Sequence, residues 1–440
     1  MRWYTPAFAL ILLPFAAVVA EAQTGSLEDR IKALEMKAEG SKPSGDALAV
    51  SYDDGLWFRA ANGAIEGRLG AFVLTHYTTH VHLNEADGKT DGFTAKEAAL
   101  EFSARLWKAW EIYLRPLVEP GGTILDYGWV EFNKWDFLRI RAGVDKEPFS
   151  PETLEDIRWG DLPEDSLMSL LTPDKDLGVR VFGDLLDGTI SYAAGVYNGN
   201  GLTNADNNSD KEVCGRLVIR PGATSSVEAI RHLSIGGSLS RGRENIAGAE
   251  PFEFEALATG TTYHNLTAGV APGLTSFEID GKATRAGADL TWVWGPLSVK
   301  GEWIWYKSRM EFSDDHTNFR AHGYYGLVGF WLLGSTRENN HRPEIKKPLF
   351  AGGIGDVQVV VRASRVAIDD TFEERGLGSG SRNVNEYAFG ANWYPNSHVR
   401  ISAMFVHYKY DQKSSRRLLT ANGRTLDDEN AVIIRAQIDF

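Results

Sequence analysis

The chain has 440 residues, 43% of them hydrophobic and 11% aromatic, with 59 acidic against 46 basic side chains and a formal charge of −13. That balance excludes nucleic acid as a partner, and Cys214 as the one cysteine excludes an intramolecular disulfide. Two or three soluble domains would suit this length, yet no linker divides the chain between Gly63 and its C-terminus.

In chain order, Arg2 precedes an apolar run from Phe8 to Val19 and the small-x-small site Ala20-Glu21-Ala22, which reads as a signal peptide over residues 1–22. The run is shorter than the ~20 residues a membrane-crossing helix needs. Residues 23–62 read as a periplasmic helical segment and linker, with Ser26 as cap and Leu27, Ile31, Leu34 and Ala38 on one stripe. So short a helix is marginal alone, so a coiled coil with copies of itself is expected. A solvated amphipathic helix or spacer fits the same residues.

From Ile65 the pattern changes to alternation with period two, in sixteen segments. They cover about 65–77, 94–106, 110–119, 124–132, 138–144, 176–183, 189–197, 212–220, 233–240, 284–294, 297–308, 321–333, 357–366, 383–394, 398–409 and 430–440. The last is the clearest: Val432, Ile434, Ala436, Ile438 and Phe440 share one side, while Arg435, Gln437 and Asp439 share the other. With both ends of the barrel on one side of a membrane, alternate connections are expected to be short turns. Lys108-Ala109, 133–137, 184–188, Gly295-Pro296 and 395–397 fit, whereas 145–175, 241–283, 367–382 and 411–429 form the long set. Gly334 to Asp356 breaks the rule, through either a miscounted strand or an extended turn. Trp107, Trp110, Trp292, Trp294, Trp393, Tyr394, Tyr408 and Tyr410 lie near segment ends, as interface girdles do. A soluble β-sandwich would leave those positions unexplained. The expected fold is therefore all-β: a sixteen-stranded antiparallel transmembrane β-barrel over 63–440, in contact with outer-membrane lipid of a bacterial cell.

Barrels of this size leave an aqueous channel, so the third long loop, 145–175, is the expected constriction, with Lys146, Glu147, Phe149, Arg158 and Lys175 in it. Leu167, Leu170 and Leu171 need burial against the wall. Alternation puts Arg105, Arg115, Arg139, Arg141, Arg180, Arg216, Arg220, Arg362 and Arg435 on the water side, together with Lys300 and Arg400. Glu97, Glu101, Glu111, Glu119, Glu131 and Glu302 share that side. Two readings stay open: a cationic path that concentrates anions, or a compensated network that stiffens the wall. His76, His80 and His82 lack the carboxylate or cysteine that would complete a metal set.

Several stretches resemble the phosphate-selective porin O and P family. They are Arg141-Ala-Gly143 with Lys146-Glu-Pro-Phe-Ser150, then Ala194 to Gly201, Gly215 to Pro221, Gly301-Glu-Trp-Ile-Trp305, and Gly390-Ala-Asn-Trp-Tyr-Pro395 with Val399-Arg-Ile401. The resemblance implies a homotrimeric sixteen-stranded outer-membrane channel, anion-selective in better-known members, with a basic path and, in many relatives, a short coiled coil. The third loop departs from it, since Glu152, Glu155, Asp156, Asp161, Glu164, Asp165, Asp174 and Asp176 outnumber its bases. The expected function is passive diffusion of small hydrophilic solutes, among them anions such as phosphate or polyphosphate, with no catalytic residues, cofactor or metal. The alternative is a plugged barrel acting as an enzyme, or as an adhesin with its specificity in 241–283.

Overall fold

The computed structural model describes residues 48–440 apart from 61, 82, 84–88, 120–121, 200, 203–208, 248–252, 266–276, 313–314, 339, 371–378 and 412–425. The signal peptide expected over 1–22 and the helical stripe from Leu27 to Ala38 lie outside the described residues. Where the linker was expected, β1 (Leu48–Tyr52) and β2 (Leu56–Ala60) form an antiparallel hairpin.

The barrel begins with β3 (Ile65–Val81), β4 (Gly92–Leu106), β5 (Trp110–Glu119), β6 (Gly122–Trp135), β7 (Leu138–Lys146), β8 (Lys175–Leu185), β9 (Ile190–Tyr197), β10 (Glu212–Ile219) and β11 (His232–Ala247). Two short strands, β12 (Glu253–Ala256) and β13 (Thr261–Asn265), stand apart from it. The wall resumes with β14 (Phe277–Trp294), β15 (Leu297–Phe312), β16 (Asp315–Trp331) and β17 (Asp356–Ile368), and, after the separate β18 (Ser379–Gly380), with β19 (Asn383–Asn396), β20 (Val399–Tyr410) and β21 (Asp428–Asp439). Each stave pairs antiparallel with the next, and β21 pairs with β3 from Asn430↔Val81 to Asp439↔Phe72, which closes the ring. Below that seam β2 takes over the same edge of β3, from Leu56↔Leu69 to Arg59↔Glu66. All sixteen expected segments are staves.

The burial pattern is inverted relative to a soluble protein. On β21, Ile434 and Ile438 are 45% and 55% exposed, while Arg435 is 0% exposed. Only a sheet with lipid outside and a crowded polar interior assigns its residues this way. Several staves run past their expected ends on the loop side: β3 reaches Val81, β14 starts at Phe277 and β16 at Asp315. Above the apolar band both faces meet water, so alternation fades while the backbone ladder continues.

At the opposite end the turns are tight. Trp107-Lys108 and Leu186-Asp187 hold both central residues at φ between 51° and 61°, the twist that two-residue hairpin turns require. The connection that broke the parity rule, 332–355, is an extended turn, with a bridge between Thr336 and Glu344 and a short 3-10 turn at Leu349–Ala351.

Candidate functional site

The third loop does fold into the barrel. It leaves β7 at Lys146 and drives Phe149 into the wall, where the side chain is fully enclosed. Gly287 makes the seat, since a Cβ there would come within 3.3 Å of the Phe149 ring. The Phe149 carbonyl accepts hydrogen bonds from Arg216 Nη1 (2.8 Å) and Ser238 Oγ (2.6 Å), and the Pro148 carbonyl accepts one from Cys214 Sγ (3.3 Å). Ser150 then caps the single turn α1 (Pro151–Leu154), its Oγ accepting from Thr153 N at 3.3 Å, and donates to Glu302 at 2.9 Å. Further on, Leu167, Met168 and Leu171 are buried in a 3-10 turn against Gly323 of β16.

From there the closing staves hold the loop by its backbone. Arg400 donates to the carbonyls of Arg158, Gly160 and Asp161, at 3.3, 2.6 and 3.2 Å. Arg435 donates to the Ile157 (3.0 Å) and Pro163 carbonyls. Arg362 reaches the carbonyls of Glu164 and Asp165, each at 2.9 Å, and the Glu386 carboxylate at 2.8 Å. Arg362 and Arg435, expected along a solute path, are thus enclosed beneath the loop and hold it in place. Arg105 is also separate: it is exposed near the short-turn end, 3.8 Å from Glu111.

The other arginines converge. Arg115, Arg139, Arg141, Arg180, Arg216 and Arg220, with Lys146, line one open cavity of about 590 Å³ along β5–β10. Three aspartates, Asp145, Asp156 and Asp184, share the lining, so the wall is net basic. Ion pairs order it: Arg141 with Glu131 and Asp145, both at 2.5 Å, Arg180 with Asp145 at 2.8 Å, Arg139 with Asp184 at 2.6 Å and Arg216 with Asp289 at 2.6 Å. Arg220 bonds Ser191 Oγ at 2.5 Å. A second cavity of about 330 Å³ shares Arg216, Arg220 and Asn340 with the first and continues the lumen towards the short-turn end, where Arg231 is balanced by Glu155, Asp289 and Glu338. On the loop side a third, of about 270 Å³, shares Arg115, Lys146 and Asp156, and includes Lys175, which pairs with Asp126.

Within the loop Arg158 pairs with Asp156 (2.8 Å) and Glu101 (2.7 Å), and Glu147 is enclosed. Burial alone would raise the Asp156 carboxyl, but Arg158 and Arg115 hold it well below the usual range. Glu152 shifts the other way: burial, with Asp165 beside it, pushes its carboxyl up to about 7 despite Arg362 and Ser166.

Two features escaped the sequence reading. Within 241–283, where the alternative reading put an adhesin's specificity, the hairpin of β12 and β13 turns inward: Phe254 and Tyr263 are enclosed, 5.7 Å from Phe319 and 6.2 Å from Tyr410 by ring centroids. Thr259 and Thr261 donate to Glu429 at 2.6 and 2.8 Å. With the third loop, this hairpin fills the side of the lumen opposite the basic wall. The second is the extended turn, whose Arg337 pairs with Asp161 (2.5 Å) and Glu155 (3.3 Å) of the third loop. Its Arg342 sits among Asp54, His398 and Asp439, the one cluster among the described residues spaced for a metal, and pairs with both carboxylates. A guanidinium of the chain itself already supplies the positive charge there.

Comparison with known proteins agrees with this geometry. A family model described as phosphate-selective porin O and P matches residues 76–440. Porin O of Pseudomonas aeruginosa is 26% identical over 165 residues, which is 35% of this chain and 34% of that protein, so the match spans about a third of that relative. Among solved structures, the anion-selective porin from Comamonas acidovorans superposes with a TM-score of 0.56 at 12% identity, over 86% of this chain and 100% of that one. The outer-membrane channel DcaP of Acinetobacter baumannii gives 0.54 at 12% identity, over 86% and 98%. At such identity the likeness is one of fold.

A closed sixteen-stave cylinder with an inward third loop and a charged interior is the architecture of a porin, a channel of the bacterial outer membrane. The chain belongs to the phosphate-selective porin O and P family.

Proposed function

We propose that this porin is anion-selective and that its solutes follow the basic wall of β5–β10, small anions of the phosphate type among them. The observation that carries the reading is the seven-to-three excess of Arg and Lys over Asp around the 590 Å³ cavity. Glu131, Asp289 and Asp126 pair with Arg141, Arg216 and Arg115 from behind this lining, their side chains 5%, 2% and 2% exposed, so the excess belongs to the surface that meets solutes and the two sequence readings meet in one wall. In a narrow lumen with low-dielectric walls, such an excess raises the local anion concentration. Five of the third loop's acids are offset by partners, Asp156 by Arg158 and Arg115, Asp161 and Glu155 by Arg337 and Lys300, Glu152 by Arg362 and Glu164 by Lys96.

Support for a homotrimer comes from family membership, and an OmpT structure of Vibrio cholerae described as a trimer form superposes with a TM-score of 0.51 at 10% identity. The deciding experiment is the reversal potential of purified protein in a planar bilayer under a potassium chloride gradient. Chloride preference is the expected sign, and potassium preference ends the proposal. Crosslinking in detergent tests the trimer.

A further inference from the structure

The wall of β5–β8 carries aromatic rings on its water side. Leu114, Val130 and Val179 face outward, 41%, 42% and 50% exposed. Tyr113, Trp129 and Phe182, of the opposite parity, line the cavity. Large rings in an aqueous lumen are costly to hydrate unless something covers them. Here guanidinium groups cover them in part: Arg141 lies 3.7 Å from the Trp129 ring centroid and 5.2 Å from that of Phe182. Arg139 and Arg180 each lie 4.8 Å from Phe182. Tyr113 stacks on Trp129 at 5.3 Å and 27°. All three rings keep part of their surface exposed.

Two details keep a place open beside them. At Gly143, on the lumen face between Arg141 and Asp145, the backbone has φ +133°, and a Cβ would meet the Gly128 carbonyl at 2.2 Å and Trp129 Cα at 2.7 Å. Gly143 therefore adds no side chain over Trp129, whose cover from β7 is the Arg141 guanidinium alone. Below it, Arg139 is the most exposed of the three arginines, at 29% against 17% and 13%, and its one ion pair, with Asp184, leaves most of its donor fork unused.

We propose that this section of the path is a binding station for aromatic carboxylates. The carboxylate docks on the Arg139 guanidinium, and the ring lies beside Phe182 on the Arg141 guanidinium, which Trp129 backs on its other side. An aliphatic acid of equal charge gains the ion pair but not the ring contact, and phosphate has no ring to place. The inference rests on the anion path proposed above and adds a solute class to it.

The test compares benzoate with cyclohexanecarboxylate, two acids of similar size and equal charge, as blockers of chloride current through the full-length protein in a planar bilayer. Benzoate is expected to half-block at a concentration about 3- to 10-fold lower, the range a ring contact contributes. Trp129→Leu is expected to bring the two values together, with Phe182→Leu as the second variant should the first not assemble. Equal half-block by both acids, with chloride preference intact, overturns the station alone. Absence of chloride preference overturns the anion path and the station with it.

Discussion

Arg337 and Asp161 meet at 2.5 Å with side chains only 3% and 2% exposed. The first lies on the extended turn 332–355 and the second on the inward third loop, so the constriction is held from the short-turn end as well as from the wall. Removing Arg337 leaves Asp161 and Glu155 to share Lys300, at 2.7 and 2.9 Å, so the cost stays below the ~3–5 kcal/mol of a fully stranded buried charge. Arg337→Ala is therefore expected to loosen the third loop, read as added open-channel noise and faster proteolysis within 147–174. A quiet, protease-resistant variant would show that the wall arginines suffice.

Arg139 and Arg362 separate path from scaffold. Arg139→Gln is expected to lower the chloride-to-potassium permeability ratio severalfold while the barrel stays intact in heat-modifiability gels. Arg362→Met removes a group that holds two loop carbonyls and Glu386, so it is expected to lower the unfolding temperature instead. The opposite assignment of effects would place Arg362 in the path.

Glu152 gives the loop a pH response. Its carboxyl is pushed up to about 7 in the folded chain, above its ordinary value of 4.5. The folded state thus holds a proton that the unfolded state releases, and the loop loses stability as pH rises from about 4.5 to about 7. Ionisation also adds a negative charge beside the third cavity. Chloride preference is expected to fall as pH rises through about 7, and Glu152→Gln is expected to flatten that step. Reversal potentials between pH 5 and 9 check it, and an identical step in the variant assigns it to another group.

Phe149 anchors the loop where it leaves β7. Phe149→Ala is expected to cost about 3–5 kcal/mol of barrel stability, since Gly287 supplies no side chain to fill the space. Urea titration of the refolded protein measures this, and a loss below about 1 kcal/mol would mean the loop collapses into the gap.

The staves were legible because lipid on one face and water on the other impose period two, and Arg435 between Ile434 and Ala436 states both sides in three residues. Alternation gives the side of the wall but not the partner across the lumen. It therefore put Arg139, which lines the cavity, and Arg435, which lies beneath the loop, in one set. The hairpin at 253–265 was illegible for a related reason: it packs on the inner wall, never on lipid, so its Phe254 and Tyr263 carry no stripe. The turn 332–355 announced itself only as an exception to parity, although Arg337 and Arg342 were the signal that it had partners.

The arginines beneath the third loop set a limit on pore engineering. Arg362, Arg400 and Arg435 find acceptors in that loop's peptide oxygens, so excising the loop would strand Arg400 and Arg435 on the closing staves and leave Arg362 with Glu386. A wider bore in this scaffold requires neutral replacements at Arg400 and Arg435 in the same variant; loop deletion alone is a route to a cylinder that does not zip shut.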